Sequence, residues 1–201
     1  TTINKSSLHM NTKLYTGNSS TQSITGVNFK PDLVWIKERT NTSSHNIRDI
    51  IRGTDKYISS DTTSGDTTNT HLTSFDSDGF TLATSGGINN TGDTYASWNW
   101  LANGAGSANT AGSINSTVSV NTTSGFSIVK WTGSGANATI GHGLSTVPKM
   151  IIIKNRTDAI NWIVYHNKIG NTGAVFLDVT NAPDTGSSYF NNTSPTNSVF
   201  S

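Results

Sequence analysis

The decapeptide Pro31-Asp-Leu-Val-Trp-Ile-Lys-Glu-Arg-Thr40 returns 117 residues later as Pro148-Lys-Met-Ile-Ile-Ile-Lys-Asn-Arg-Thr157. In both copies a proline is followed by an apolar run, a lysine, one spacer residue, an arginine and a threonine. Matching residues flank the two decapeptides, namely Tyr15-Thr16-Gly17 and Trp131-Thr132-Gly133 upstream, and Gly53, Asp61, Gly170 and Asp178 downstream. Because this correspondence extends over roughly 45 residues, the sequence predicts an internal duplication.

Composition predicts that both copies are built from β-strands. Charged residues make up 12% of the 201 residues, about half the share of an average soluble protein. Thr, Ser, Asn and Gly dominate instead, and this composition favours short strands and turns over long amphipathic helices. The Asp78-Gly79 pair between two apolar segments is a strong hairpin signal. The chain is therefore expected to be all-β.

The duplication divides the chain into four segments. Residues 1–12 are expected to be a linker or an incoming segment, residues 13–103 a first module, residues 104–114 a flexible Gly/Ala/Ser/Asn linker, and residues 115–201 a second copy. We refer to residues 13–103 as the first repeat and to residues 115–201 as the second repeat. The strand predicted at Tyr95–Trp100 has no counterpart in the second repeat. We therefore expect that copy to be incomplete at its C-terminus, either trimmed or completed by another part of a longer molecule.

Charge and hydropathy argue against two classes of partner. The net charge is +1 and no run of basic residues occurs, so we expect no nucleic-acid binding. No apolar stretch approaches the roughly 18 residues that span a bilayer, so we expect no membrane insertion. The absence of cysteine removes disulfides, a thiolate nucleophile and cysteine-based zinc sites from consideration.

The sequence shows no residue pattern typical of a catalytic or metal site. Most aspartates lie in turn contexts, where their side chains bond the local backbone, and no nucleophile elbow, zinc-protease motif or phosphate loop is present. Asp76-Ser-Asp78 has the start of a calcium loop without its later ligands, and we interpret it as part of the hairpin turn. The histidines lack the spacing of metal ligands: His9, His45, His71, His142 and His166. We predict a non-enzymatic protein with no cofactor and no metal.

Tryptophan is abundant for so polar a chain, with five residues. Alternate residues of Tyr95–Trp100 point to opposite sides of a strand. Ala96, Trp98 and Trp100 share one side, and alternation with small residues favours burial of that side. We therefore predict that Trp98 and Trp100 belong to a sandwich core together with Trp35.

The other two tryptophans are candidates for ligand binding. Exposed aromatic rings stack on sugar rings in concave sites, whereas buried rings supply core mass. For Trp131 and Trp162 the sequence leaves both alternatives open. We take these two residues, together with His166, as the candidate ligand-binding residues.

Several segments of the chain resemble modules of phage proteins. Ile140-Gly-His-Gly-Leu-Ser-Thr-Val-Pro-Lys-Met-Ile-Ile-Ile-Lys-Asn-Arg156 is similar to a segment of repeated modules in tail-fibre and other appendage proteins of tailed phages, especially marine ones. The first repeat resembles the same module in full through three segments: Phe29-Lys-Pro-Asp-Leu-Val-Trp-Ile-Lys37, Asp78-Gly-Phe80 and Asn90-Thr-Gly-Asp-Thr-Tyr-Ala-Ser-Trp98. The resemblance covers most of residues 13–101 and 124–201.

The resemblance implies two tandem jelly-roll sandwiches, similar to concanavalin-type lectins, on a virion. It implies a non-enzymatic structural protein of a tail fibre, or of a capsid fibre or decoration, that takes part in adhesion to host-surface glycans. Such a protein would assemble with other virion subunits and form a homo-oligomer, for example a trimer. Two alternatives stay open: a carbohydrate-binding module of a secreted bacterial protein, and a glycan-degrading tailspike.

Overall fold

The computed structural model describes residues 3–84, 86–185 and 189–201, and over these ranges the chain is all-β, as predicted. One 3₁₀ turn, Ser6–Leu8, precedes the first strand, and no helix in the described ranges is long and apolar enough to cross a membrane. The strands are β1 Met10–Thr16, β2 Gln22–Ile24, β3 Leu33–Glu38, β4 Asn46–Asp49, β5 Lys56–Tyr57, β6 Thr67–Thr68, β7 Leu72–Asp76, β8 Gly79–Leu82, β9 Thr94–Trp100, β10 Ser107–Asn109, β11 Ser116–Asn121, β12 Phe126–Trp131, β13 Ile140–Gly141, β14 Met150–Ile153, β15 Ile163–His166, β16 Val175–Phe176 and β17 Val199–Phe200. Every ladder between two of these strands is antiparallel.

The first repeat contains two antiparallel sheets packed face to face. One has the strand order β1-β9-β3-β4, and the other has the order β2-β8-β7. Alternate residues of each strand point into the space between the sheets. Buried apolar side chains fill that space: Ile24, Val34, Ile36, Leu72, Phe75, Phe80, Leu82, Ile88 and Tyr95. The first repeat is therefore a β-sandwich with a continuous core.

The predicted hairpin at Asp78-Gly79 joins β7 to β8. Gly79 has a φ of +147°, and a Cβ at this position would collide with the backbone carbonyl of Ile24. The carboxylate of Asp78 accepts hydrogen bonds from the backbone N–H groups of Gly26 at 2.8 Å and Asn28 at 2.5 Å. Both carboxylate oxygens are thus engaged in holding the hairpin against the chain that follows β2.

The prediction for the tryptophans of β3 and β9 was wrong about the face of the sheet. The fully buried polar and aromatic residues of β9 are Tyr95, Ser97 and Asn99, each 0% exposed. Trp98 and Trp100 lie on the opposite face, half-buried, with ring centroids 6.4 and 6.5 Å from that of Trp35. The predicted alternation along β9 is correct, but the opposite face of the strand is the buried one. The polar side chains on that face can be buried because they form hydrogen bonds with each other and with neighbouring backbone.

The second repeat reproduces strand pairing of the first. Leu33 of β3 lies opposite Asp49 of β4, and Met150 of β14 lies opposite His166 of β15, which is the same register 117 residues later. The pairing of β15 with β16 likewise repeats the bridge between β4 and the chain that follows β5. The shared register supports the predicted duplication at the level of backbone pairing.

The strands of the second repeat, together with β10 from the segment before it, form three separate sheets, with the orders β10-β11-β12, β13-β17 and β14-β15-β16. In the first repeat, β9 lies between β1 and β3 and joins them in one sheet. Among the described residues, no strand joins β12 to β14. In the second repeat, β12 and β14 are therefore the counterparts of β1 and β3, but no described strand takes the place of β9 between them.

The segment predicted to be a flexible linker, residues 104–114, contains a strand. Within it, β10 pairs with β11 in an antiparallel ladder. Just before it, the backbone N–H of Asn103 donates a hydrogen bond of 2.8 Å to Oγ of Ser119. Part of the expected linker is therefore integrated into a sheet of the second repeat.

Candidate functional site

A cleft of about 380 Å³ lies beside Trp131, the last residue of β12. It is lined by the loop of residues 133–138, by Tyr189 and Asn191, and by two isoleucines. Trp131 is half-buried, so part of its indole ring stays accessible. The side chains around the cleft are uncharged. This combination of an aromatic face with neutral polar groups makes the cleft the best candidate for a ligand site.

Hydrogen bonds hold the polar side chains of the cleft in place. Nδ2 of Asn137 donates to Oδ1 of Asn191 at 2.8 Å, and Asn191 adopts a left-handed backbone with a φ of 49°. The hydroxyl of Tyr189 donates to Oδ2 of Asp184 at 2.6 Å, and this bond raises the pKa of Tyr189 above its ordinary value. Amide and hydroxyl groups beside an indole are the chemistry that recognises sugars.

Trp131 occupies the position in the second repeat that Tyr15 occupies in the first. Each is the aromatic residue of the repeated aromatic-Thr-Gly triplet. Tyr15 packs edge-on against Phe80, with ring centroids 6.3 Å apart, and Trp131 packs edge-on against Phe200 at 5.5 Å. Tyr15 is also stacked on Tyr95 of β9 at 4.9 Å. Trp131 is therefore the counterpart of a residue that packs against the core of the first sandwich.

Trp162 lies at the contact between the two repeats. It is only 4% exposed and packs with Ile47 and Ile58 of the first repeat. Its indole Nε1 donates to the carbonyl oxygens of Ser59 at 2.9 Å and Thr62 at 3.2 Å. Because burial and hydrogen bonding occupy this ring, we assign it to the packing of the repeats and do not include it in the ligand site.

His166 lies at the end of β15, away from the residues that line the Trp131 cleft. It is paired across the ladder with Met150. Its Nδ1 accepts a hydrogen bond of 3.3 Å from the backbone N–H of Lys168. The structure thus places the three candidate ligand-binding residues in three different surroundings, and Trp131 is the one that lines the cleft described above.

The lysine of the repeated decapeptide performs the same task in both repeats. Nζ of Lys37 donates to the carbonyl oxygens one and four residues further along, at 2.7 and 3.3 Å. Nζ of Lys154 donates to the carbonyls at the same two offsets, at 2.7 and 3.5 Å. Each ammonium group therefore closes the loop that follows its strand. Sequence reasoning identified the repeat but assigned no task to this lysine.

Arg156 of the second decapeptide connects the two repeats electrostatically. Its guanidinium forms an ion pair of 2.5 Å with Asp66, which also pairs with Arg52 at 3.0 Å. The backbone N–H of Asp66 in turn donates to the carbonyl oxygen of Arg156 at 2.8 Å. The side chains of Arg52 and Asp66 are mostly buried, with 5% and 12% exposed. These contacts extend the interface that Trp162 forms.

His142 of the Ile140–Arg156 segment is a structural link. It is 3% exposed, and burial lowers the pKa of its imidazole. Nδ1 accepts from the backbone N–H of Leu144 at 3.1 Å, which leaves the Nε2–H to donate to the carbonyl of Thr196 at 3.2 Å. The neutral ring thereby connects the loop after β13 to the chain that leads into β17.

The described residues bring no group of three or more His, Asp or Glu side chains together in a way that could hold a metal ion. Several buried carboxylates are engaged by the protein itself. Asp49 forms an ion pair of 2.5 Å with Arg52, and Oδ2 of Asp32 accepts a hydrogen bond of 2.7 Å from the backbone N–H of Ala102. These contacts give Asp49 and Asp32 structural roles.

The chain is thus an all-β protein with one complete β-sandwich, a repeated register and a neutral aromatic cleft. It matches the model of a family described as a domain of unknown function, DUF7483, over residues 5–201. The chain belongs to this family, and the match spans both repeats. No curated protein and no solved structure matches the chain.

Proposed function

We propose that this protein is a non-enzymatic structural part of a virion appendage, either a tail fibre or a capsid fibre or decoration. In this proposal the two repeats are tandem jelly-roll sandwiches of the concanavalin type. Two features support it: the resemblance of the repeated segments to phage appendage modules, and the strand register that recurs at 117 residues.

The observation that carries the proposal is the interface between the repeats. Trp162 is buried against the first repeat, and the ion pair between Arg156 and Asp66 lies beside it. Two modules that share a buried aromatic contact and an ion pair resist bending relative to each other, unlike modules joined by a flexible linker. Such stiffness suits a load-bearing segment of an extracellular particle.

Surface chemistry supports assembly with other virion subunits. The chain has a net charge of +1, so copies of it do not repel one another strongly. Loops rich in Asn, Ser and Thr provide neutral hydrogen-bonding groups for packing. We propose that the protein forms a homo-oligomer, such as a trimer, within the appendage.

The location is tested on purified particles. Antibodies raised against the chain should label one fixed place on the virion by immunogold electron microscopy. Light scattering of the purified protein should give the mass of an oligomer. Particles that carry no label would contradict the proposal, and a monomer that binds sugar would favour a carbohydrate-binding module of a secreted bacterial protein.

A second activity, adhesion to host-surface glycans, is favoured by the Trp131 cleft. The half-buried indole, with Asn137 and Tyr189 beside it, offers a stacking surface with neutral hydrogen-bonding groups. A glycan array should show selective binding that Trp131→Ala abolishes. Trp98→Ala, which removes another half-buried tryptophan, is the matched control and should leave binding intact. Cleavage of the saccharide would instead indicate a tailspike.

A further inference from the structure

The central strand of the first sandwich defines how a strand fits between two others. β9 pairs with β1 from Met10 opposite Trp100 to Thr16 opposite Thr94, and it pairs on its other side with β3. Both ladders are antiparallel, so one extended strand satisfies the backbone groups of two neighbours at once. On β3, Val34 is 0% and Ile36 1% exposed, and both lie in the core between the two sheets.

The second repeat presents the same two neighbours with free edges. Among the described residues, β12 pairs only with β11, and β14 pairs only with β15. Ile151 and Ile153, the counterparts of Val34 and Ile36, are only half-buried. On the other face of β14, Met150 is 52% exposed. Unpaired edges flanked by exposed apolar side chains are a template for an added strand.

The Trp131 cleft provides space for a side chain of such a strand. In the first repeat, the ring of Tyr95 on β9 stacks on Tyr15 at 4.9 Å. Trp131 is the counterpart of Tyr15 and keeps the equivalent edge-on contact with a phenylalanine, Phe200. The cleft of about 380 Å³ beside Trp131 is large enough for an aromatic side chain.

We propose that the free edges of β12 and β14 form an acceptor site for one extended peptide strand with the alternation of β9. The strand pairs antiparallel with both edges, in the register that β9 takes between β1 and β3. This inference rests on the tandem-sandwich part of the proposed function. It adds a binding site that completes the second repeat by strand addition.

The register fixes the chemistry of the incoming strand. Its residue corresponding to Trp98 falls between Ile128 and Ile152, where a large apolar side chain covers both isoleucines. Its residue corresponding to Tyr95 falls beside Trp131, where an aromatic ring repeats the stacking of the first repeat. A peptide matches this site better than a glycan does, because an unpaired strand edge presents a row of backbone N–H and C=O groups that another extended backbone can pair with.

A synthetic peptide with the sequence of residues 92–101 provides the probe. Labelled with a fluorophore, it should bind the 201-residue chain saturably by fluorescence anisotropy and raise its melting temperature. Hydrogen exchange should slow at Phe126–Trp131 and Met150–Ile153, and the free edge of β10 should remain unchanged. The same peptide with Ser97→Pro should not bind, because proline removes a ladder N–H and disrupts the central pairing.

A variant of the acceptor separates docking from folding. Ile152 is 41% exposed, so Ile152→Lys should leave the free chain folded. The same substitution should lower the affinity for the peptide by about tenfold or more. Val179→Lys, at a residue 38% exposed outside the site, should bind the peptide as the parent chain does. Equal binding to all three chains, equal binding of the proline peptide, or no slowing of exchange in β12 and β14 would overturn the inference.

The inference and the proposed function fail in different experiments. Peptide docking on a protein that is missing from the virion would contradict only the proposed function. If the protein is found in the virion and binds glycan through Trp131 but does not bind the peptide, only the proposed acceptor site is wrong. Peptide that displaces bound glycan would support the acceptor site, because the docked strand covers the Trp131 cleft.

Discussion

The indole Nε1 of Trp162 donates a hydrogen bond of 2.9 Å to the carbonyl oxygen of Ser59, a residue 103 positions earlier in the chain. The ring also fills a small apolar cluster with Ile47 and Ile58. One side chain of the second repeat thereby contributes packing and hydrogen bonding to the first. This contact makes the two repeats a single mechanical unit in our account.

Removal of this ring should destabilise the protein strongly. Trp162→Ala leaves a cavity and two unpaired carbonyls, and we expect it to lower the free energy of unfolding by about 3–5 kcal/mol. Trp162→Phe keeps much of the packing and should cost about 1–2 kcal/mol. Urea unfolding followed by circular dichroism measures both. Trp131→Ala, at a half-buried ring beside an open cleft, is the control, and an equal loss there would refute the special role of Trp162.

The repeated lysines, Lys37 and Lys154, should stabilise the protein by holding the loops that follow β3 and β14. In Lys154→Met the apolar stem survives, but the carbonyls that Nζ contacts lose their donor, including that of Thr63 in the first repeat at 2.9 Å. We expect a loss of about 1–3 kcal/mol in the free energy of unfolding, with faster hydrogen exchange in the loop after β14. Lys37→Met should act in the same way on the loop after β3. Lys149→Met, at an exposed lysine, should change neither quantity.

Acidification should weaken the fold through the buried His142 and the half-buried His45. Nδ1 of His142 accepts from the N–H of Leu144, and Nδ1 of His45 accepts from the indole of Trp35 at 2.7 Å. Both bonds require the neutral ring, and burial lowers the pKa of both imidazoles below their ordinary value of 6.5.

The direction of the pH dependence follows from these shifts. The histidines of the unfolded chain take up protons at a higher pH than those of the folded chain. Their contribution to stability is therefore fully present above pH 6.5 and is lost as the pH decreases below that value. Thermal melts at several pH values should show this slope, and His142→Gln should reduce it. A melting temperature that rises on acidification, or a slope unchanged in His142→Gln, would contradict this assignment.

The β7–β8 hairpin should not tolerate a side chain at Gly79. Its φ of +147° and its proximity to the carbonyl of Ile24 exclude a Cβ, so Gly79→Ala should cost about 2 kcal/mol or more. Differential scanning calorimetry would show this as a lower melting temperature. Gly87→Ala is the matched control, because a Cβ there meets nothing within 4 Å. Equal melting temperatures for the two variants would show that the hairpin is not strained.

Much of the fold could be predicted from local sequence patterns. The duplicated decapeptide predicted β3 and β14, and the Asp78-Gly79 pair predicted the hairpin between β7 and β8, because strand alternation and turn chemistry are local properties. The side of β9 that is buried depends instead on partners far away in sequence. Trp98 and Trp100 were predicted to be core, but the polar groups on the opposite face satisfy one another inside the sandwich.

Long-range polar contacts could not be predicted from the sequence. Arg48 is 0% exposed. Its Nε donates a hydrogen bond of 2.9 Å to Oδ1 of Asn46, and its Cζ lies 5.2 Å from the ring centroid of Tyr57. Burial lowers the pKa of Arg48 to about 10. Nothing in the local sequence distinguishes this arginine from a surface residue. The candidate site shows the same limit, because the residues around Trp131 are brought together from segments about 50 residues apart.

Cryo-electron microscopy of the intact particle would locate the chain and show directly how its two repeats are held together. We predict that the two repeats are found in an appendage of the virion as one rigid unit, with Trp162 packed under the first repeat and an extended strand between β12 and β14. A particle map in which the chain is absent would contradict the structural role. A map with the two repeats in variable relative orientations would contradict the rigid interface on which that role depends.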